Sequence, residues 1–244
     1  MRLSPRLQAV AARIQGGVAV DVGTDHGHLA AYLVDSGRCS RVIAIENAPG
    51  PAERARRCLA WRCGDRAELR QGHGLDPVAP GEADVAIVAG LGGDTVAEIL
   101  AGARDKVSRF ILQPMTRAAR LRAQLIEQHF SVVEEDLIEE GGRLYDLLVA
   151  VPGGAPAPAD ERAGYPPIEP FQLSSAGNLS RDLLLEIGPL LLARDHPLLP
   201  RRLRELANRR QRVAAMAGIA GYEQGKATAQ AAAAETQILE ALLR

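Results

Sequence analysis

The sequence predicts an α/β fold: a Rossmann-like, mostly parallel sheet with an antiparallel terminal strand, followed by a helical, coiled-coil-like C-terminal domain. Three observations predict it. Short apolar runs alternate with helical stretches over residues 1–151. That segment closes on two strand-like runs with no helix between them. Beyond it the composition changes to Pro and Gly, then to Leu, Ala, Arg and Glu.

The elements follow in order. Val18–Val22, Val42–Ile45, Val85–Ala89 and Arg109–Leu112 are too short for helices and rich in β-branched residues. A weaker strand is expected around Glu68–Arg70. Helical stretches lie between, at His28–Asp35, Pro51–Cys63, Thr95–Ala101 and Ala118–His129. Such alternation implies right-handed crossovers and a parallel sheet. Ser131–Ile138 and Arg143–Val151, joined across Glu139–Gly142, read as a hairpin that adds an antiparallel edge. Class I methyltransferases carry such a strand; nicotinamide-binding Rossmann domains generally do not. Residues 152–170 hold six prolines and three glycines and read as a linker. Residues 171–244 then form the helical domain, with helices expected over Pro200–Ala217 and Tyr222–Leu243, broken at Gly218 and Gly221. Leu199, Leu203, Leu206, Val213 and Ala217 form a seam that Arg210 interrupts. It suits an antiparallel helix pair and also self-association, so a monomer or weak homodimer is expected.

Composition excludes several classes. With 29 basic and 30 acidic residues in 244, net charge directs the whole chain to neither nucleic acid nor a membrane. No apolar run approaches about 18 residues, and Met1–Arg13 lacks the apolar core of a signal peptide. Cys39, Cys58 and Cys63 are odd in number and form no CxxC pair, so reduced cytoplasmic thiols are expected rather than disulfides or a metal site. At 3% aromatic residues, an extended base-stacking platform is not expected.

The chemistry sits where strands end. The first strand runs into Asp21-Val22-Gly23-Thr24-Asp25-His26-Gly27. Gly23 permits a tight turn and a close ligand. The spacing is G-x-x-x-G, and an anion, Asp25, stands where a diphosphate cradle needs glycine. That repels phosphate and suits a cation such as the methionine moiety of S-adenosylmethionine. Glu46, followed by Asn47, ends the second strand at the place where such folds hold ribose hydroxyls. His73-Gly74-Leu75 follows the third strand and is expected to border adenine. Ala89-Gly90-Leu91-Gly92-Gly93 follows the fourth and lets a substrate lie against the backbone. Gln113, ahead of Pro114 and Met115, offers a donor and an acceptor toward a base. Asp25, His26 and Gln113 are the candidate catalytic groups.

These residues resemble the bacterial tRNA adenine-N1-methyltransferases that modify adenine 22, the TrmK-type family. The resemblance spans nearly the whole chain. It runs from Leu3-Ser4-Pro5-Arg6-Leu7 through Asp21–His26, Glu46, Gly90–Gly93 and Leu112-Gln113-Pro114. It continues through Glu140, Gly142 and Tyr145 of the hairpin to Leu173-Ser174 and Gly188-Pro189. Two positions depart: the family usually has Asp at His73 and Asn at Met115. The resemblance implies S-adenosylmethionine-dependent methyl transfer to tRNA, with S-adenosylhomocysteine as product. It also tips the six arginines at 201, 202, 204, 209, 210 and 212 toward phosphate contact, with Arg201, Arg202, Arg209 and Arg210 as candidates. Methylation of another RNA or of a small molecule, and a cofactor-binding but inactive RNA-binding protein, remain open on the residues alone.

Overall fold

In the computed structural model, β1 (Val18–Val22) pairs in parallel with β2 (Arg41–Glu46) on one side and β4 (Val85–Gly92) on the other. β3 (Ala67–Gln71) flanks β2, and β5 (Arg109–Thr116) flanks β4, both in parallel. β7 (Arg143–Pro152) runs antiparallel to β5, and β6 (Phe130–Glu140) closes the seven-stranded sheet in the order β3-β2-β1-β4-β5-β7-β6. The structure describes residues 2–153, 171–173, 177–219 and 223–243. The chain divides into two compact units, Met1–Gly164 and Tyr165–Arg244.

The antiparallel strand is interior to the sheet rather than at its edge. The reason is legible in β7 itself: Leu147–Val151 is apolar and buried on both faces, which suits a strand with two neighbours. β6 alternates more and takes the edge.

Helices α2 (His28–Asp35), α3 (Pro49–Arg62), α4 (Gly93–Leu100) and α5 (Ala118–Glu127) form the crossovers. A further helix, α1 (Pro5–Ala12), precedes the sheet. Ser4 caps it by accepting from the Leu7 amide, and Pro5 supplies a preset first turn. α1 buries Val10 and Ala11 and is tied to distant β6. The Arg6 amide donates to Glu140 (2.9 Å), and the Arg13 guanidinium bridges Glu134 and Asp136.

One ion-pair group is wholly internal. Arg122 on α5 is 1% exposed and donates to Glu135 on β6 (2.6 Å) and Asp146 on β7 (2.7 Å). The three cysteines are free; burial pushes the Cys39 thiol up to about 11, which keeps it protonated at neutral pH.

The second unit contains a short antiparallel ribbon, β8 (Phe171–Leu173) and β9 (Gly177–Leu179), where helix alone was expected. Three-residue strands are too short to show a period. Next come α6 (Arg181–Ile187) and α7 (Pro189–Ala193), separated at Gly188, and then α8 (Leu199–Ile219) and α9 (Glu223–Ala241), which pack on each other. The pairs Arg210–Glu235 and Gln211–Glu240 tie the two helices together. α8 runs through Gly218; Gly221 and residues 154–170 of the expected linker lie outside the described residues. Among the described residues no helix is long and apolar enough to cross a membrane.

Candidate functional site

The carboxyl ends of β1, β2 and β4 converge on one cavity of about 480 Å³, within the usual size range of small-molecule sites. Asp21, Gly23, Thr24, Asp25, His26, Glu46, Ala89, Gly90 and Leu91 line it, so most of the expected cofactor contacts meet in one place.

The β1 loop is shaped by its backbone. The Gly23 and Thr24 amides both donate to the Ile45 carbonyl (2.9 and 3.0 Å). Gly23 sits at φ +70°, and the space where its Cβ would stand is open except for Leu91 at 4.0 Å. The second glycine of the motif does something else. A Cβ on Gly27 would stand 3.2 Å from Leu59, so that position serves the packing of α2 on α3. Asp25 takes a left-handed φ of 51°, a conformation Asp tolerates better than most residues.

Glu46 ties two loops together. Its Oε2 accepts from the Asp25 amide (3.0 Å) and its Oε1 from the Ala48 amide (2.9 Å). Each carboxylate oxygen retains accepting capacity for a hydroxyl. Asp21 is buried, and its Oδ2 accepts from the Thr24 hydroxyl (2.6 Å). Burial pushes its carboxyl up to about 6, a rise that the Thr24 hydrogen bond offsets only in part. His26 Nδ1 accepts from Arg54 Nε (3.2 Å), while His26 Nε2 lies 3.5 Å from Asp25.

Several expected residues lie elsewhere. Gln113 is completely buried: its Oε1 accepts from Arg6 Nη1, and its Nε2 donates to the Pro114 carbonyl (2.9 Å). It therefore does not present its amide to a base, which corrects its assignment as a catalytic group. Arg6 takes the place instead, lining the cavity and standing over the Tyr145 ring at 5.5 Å. His73, Gly74 and Leu75 line a separate small cavity with Glu98, Ile99 and Lys106. Gly74 packs so closely on Ile99 that a Cβ would sit 3.2 Å away, which draws this loop toward α4. Asn47 is exposed, and its carbonyl accepts from Gln71.

The Gly-rich segment is not a free loop. β4 continues to Gly92 with an irregular register around Gly90, and Leu91 pairs with Pro114, so Pro114 does not end β5. Gly90, at φ +82°, permits this bulge. Gly93 serves the chain's own packing: a Cβ there would meet the Arg117 carbonyl at 2.6 Å. Gly93→Val is therefore expected to lower the unfolding midpoint in urea, by about 1–3 kcal/mol of stability, through overpacking. A midpoint equal to the parent protein's would remove that steric role.

In the second unit, Arg210 does not face solvent. It is held between Glu186 on α6 (2.7 Å) and Glu235 on α9, so it joins helices instead of offering a phosphate contact. Arg201 pairs with Glu205 one turn on (3.0 Å). Arg204, Arg209 and Arg212 are exposed, and Arg202 is half-buried. At about 100° per residue, Arg201, Arg204, Arg209 and Arg212 share the face of α8 opposite Leu203, Leu206 and Ala207.

A methyltransferase-domain family model matches residues 3–148. The tRNA (adenine(22)-N(1))-methyltransferase of Bacillus subtilis is 38% identical over 165 residues, covering 66% of this chain and 69% of that protein. This chain belongs to that TrmK family. The crystal structure of the B. subtilis TrmK enzyme superposes with a TM-score of 0.80 at 29% identity, over 100% of this chain and 99% of that one. A TrmK-family relative from Streptococcus pneumoniae, a putative tRNA (m1A22) methyltransferase solved with S-adenosyl-L-methionine, gives a TM-score of 0.75 at 26% identity over all of both chains. The family's features meet in space here. Arg6 from the N-terminal motif, Gln113 from L-Q-P and Glu140 and Tyr145 from the hairpin form one cluster beside the cavity. Arg6, Leu7, His28, Leu29 and Pro51 line the cavity without having been expected there. Of these, Arg6 and Leu7 lay within a motif already singled out; the others carried no signal.

Proposed function

We propose that this chain transfers a methyl group from S-adenosylmethionine to N1 of an adenine in tRNA, with adenine 22 as the target that its family favours. The observation that carries the reading is the acid-lined cavity at the ends of β1, β2 and β4. Asp21, Asp25 and Glu46 meet there in a chain of this family. The cavity fits the cofactor on its own chemistry. Carboxylates suit a sulfonium and an ammonium group, Glu46 can still accept from ribose hydroxyls, and Gly23 leaves room for close approach.

The bound cofactor supplies an electrophilic methyl on a positively charged sulfur. The neutral adenine N1 forms the new bond as the sulfur–methyl bond breaks, so the positive charge passes to the adenine ring. No proton has to leave for that bond to form, and the protein's task is positioning and charge stabilisation. Asp25, held at the mouth by its backbone bond to Glu46, keeps an anion near that charge. His26 accepts at Nδ1 from Arg54, which commits that lone pair. Arg6, fixed by Gln113 and Glu140, borders the acceptor side. We place the activity in the cytoplasm, with the protein a monomer or weak homodimer and the exposed α8 arginines as its tRNA contact.

Incubation with labelled cofactor and unmodified tRNA, then digestion and nucleoside identification, tests the proposal. Label in 1-methyladenosine supports it; label in another nucleoside, or none, contradicts it. Glu46→Ala is expected to weaken cofactor binding by about 1–3 kcal/mol in calorimetry, since a charged hydrogen bond is lost and both loops are released. Parent-like affinity would remove Glu46 from the site. Met115 is 39% exposed near the end of β5, and we assign it to the acceptor side. Met115→Asn should change turnover or base choice and leave cofactor affinity alone; the reverse pattern would contradict that placement.

Asp21 adds a pH signature. Its carboxyl is raised by burial to about 6, so the buried anion costs stability above that pH and the cost fades as pH falls through 6. A cationic ligand favours the ionised form. S-adenosylmethionine affinity should therefore fall as pH drops below 6, more steeply than that of uncharged-sulfur S-adenosylhomocysteine, and Asp21→Asn should flatten the difference. Identical pH profiles for both ligands would count against it.

A further inference from the structure

Trp61 is the only tryptophan in the chain, and it stands 85% exposed on α3, away from any core. An indole is costly to leave in water and is ordinarily covered. Its surroundings are basic: α3 carries Arg54, Arg56, Arg57 and Arg62 against the single acid Glu53. At about 100° per residue, Arg54, Arg57 and Trp61 lie within about 60° of one another and form one stripe. The stripe starts at the cavity. Pro51 in the first turn of α3 lines it, and Arg54 donates to His26 and stands 4.0 Å from Asp25. Seven residues of helix carry it roughly 10 Å further, to Trp61. Arg57 is exposed and only loosely paired with Glu53, at 3.8 Å.

We infer that this face of α3 is a second RNA-contacting surface, where Trp61 stacks on an unpaired or splayed base and Arg57 meets a flanking phosphate. The inference rests on the tRNA reading above. Charge favours a polyanion, and an exposed π face beside guanidinium groups is how single-stranded nucleotides are held without sequence reading. Few aromatics exclude a long platform but not one stack. Arg54 would link the surface to the mouth of the site, where it already orients His26.

The single tryptophan makes the test direct. Titration of the full chain with unmodified tRNA should quench its emission and shield it severalfold from acrylamide. Trp61→Ala should raise the KM for tRNA about tenfold, with cofactor affinity and the unfolding midpoint unchanged; Trp61→Phe should retain most of the affinity. Saturable tRNA binding and methylation with unchanged emission and a parent-like Trp61→Ala variant would overturn the inference and leave the functional reading intact. Emission that responds to protein concentration without RNA, and not to tRNA, would assign the face to a second copy of this chain and also overturn it. A protein that neither binds nor methylates tRNA would refute the functional reading and the RNA surface together.

Discussion

Arg122→Met is expected to destabilise the first unit by about 3–5 kcal/mol, enough to unfold a marginal domain. The side chain is 1% exposed, and Glu135 and Asp146 beside it are 0% and 8% exposed. Removing the guanidinium takes away a cation that holds two carboxylates in a low-dielectric interior. Replacing all three by apolar residues of similar size should recover most of the loss, because desolvation of the ions opposes their attraction in the parent. Urea unfolding of the single and triple variants measures both. A single-variant loss below about 1 kcal/mol would show that water reaches the group.

Changing Arg204, Arg209 and Arg212 together to Gln is expected to lower tRNA affinity by roughly two orders of magnitude near physiological salt. Charged hydrogen bonds are each worth about 1.5–3 kcal/mol, with solvent screening reducing the total. The log–log salt dependence should flatten by about two to three, since each lost phosphate contact releases one counterion fewer. Arg210 belongs to a different experiment. Held by Glu186 and Glu235, its replacement should loosen α6, α8 and α9 and lower the thermal midpoint of the second unit. If the triple variant binds tRNA with the parent's affinity and slope, α8 is not the RNA handle.

The strands were legible because their residues state their environment. Val18–Val22, Val42–Ile45 and Val85–Ala89 are buried on both faces and read as apolar runs. Glu46 and the Gly23 loop were legible because a strand end fixes where a ligand can come. The rest depends on residues far apart in sequence. Nothing local says that Gln113 will spend its amide on Arg6, 107 positions away. Nor does local sequence say that the His73 loop will lean on Ile99. Arg210 looked like an interruption of an apolar seam because its two carboxylate partners sit on other helices. α1 was not expected as a helix, although Ser4-Pro5 is a helix-start signal; its eight residues are too few to show a period clearly.

The bonds of α1 also make the pocket depend on distant parts of the chain. Arg6 and Arg13 find their partners on β6 and β5, 107 to 134 residues downstream. An eight-residue helix is marginal alone, so α1 depends on its packing against the rest of the unit. Closing so long a loop costs on the order of 4 kcal/mol of chain entropy, which the contacts on β5 and β6 offset. Arg6 nevertheless forms part of the cavity wall. The wall at Arg6 thus depends on Gln113 and Glu140, far from the Gly23 and Glu46 loops in sequence. The pocket is complete only when α1 is docked on β5 and β6.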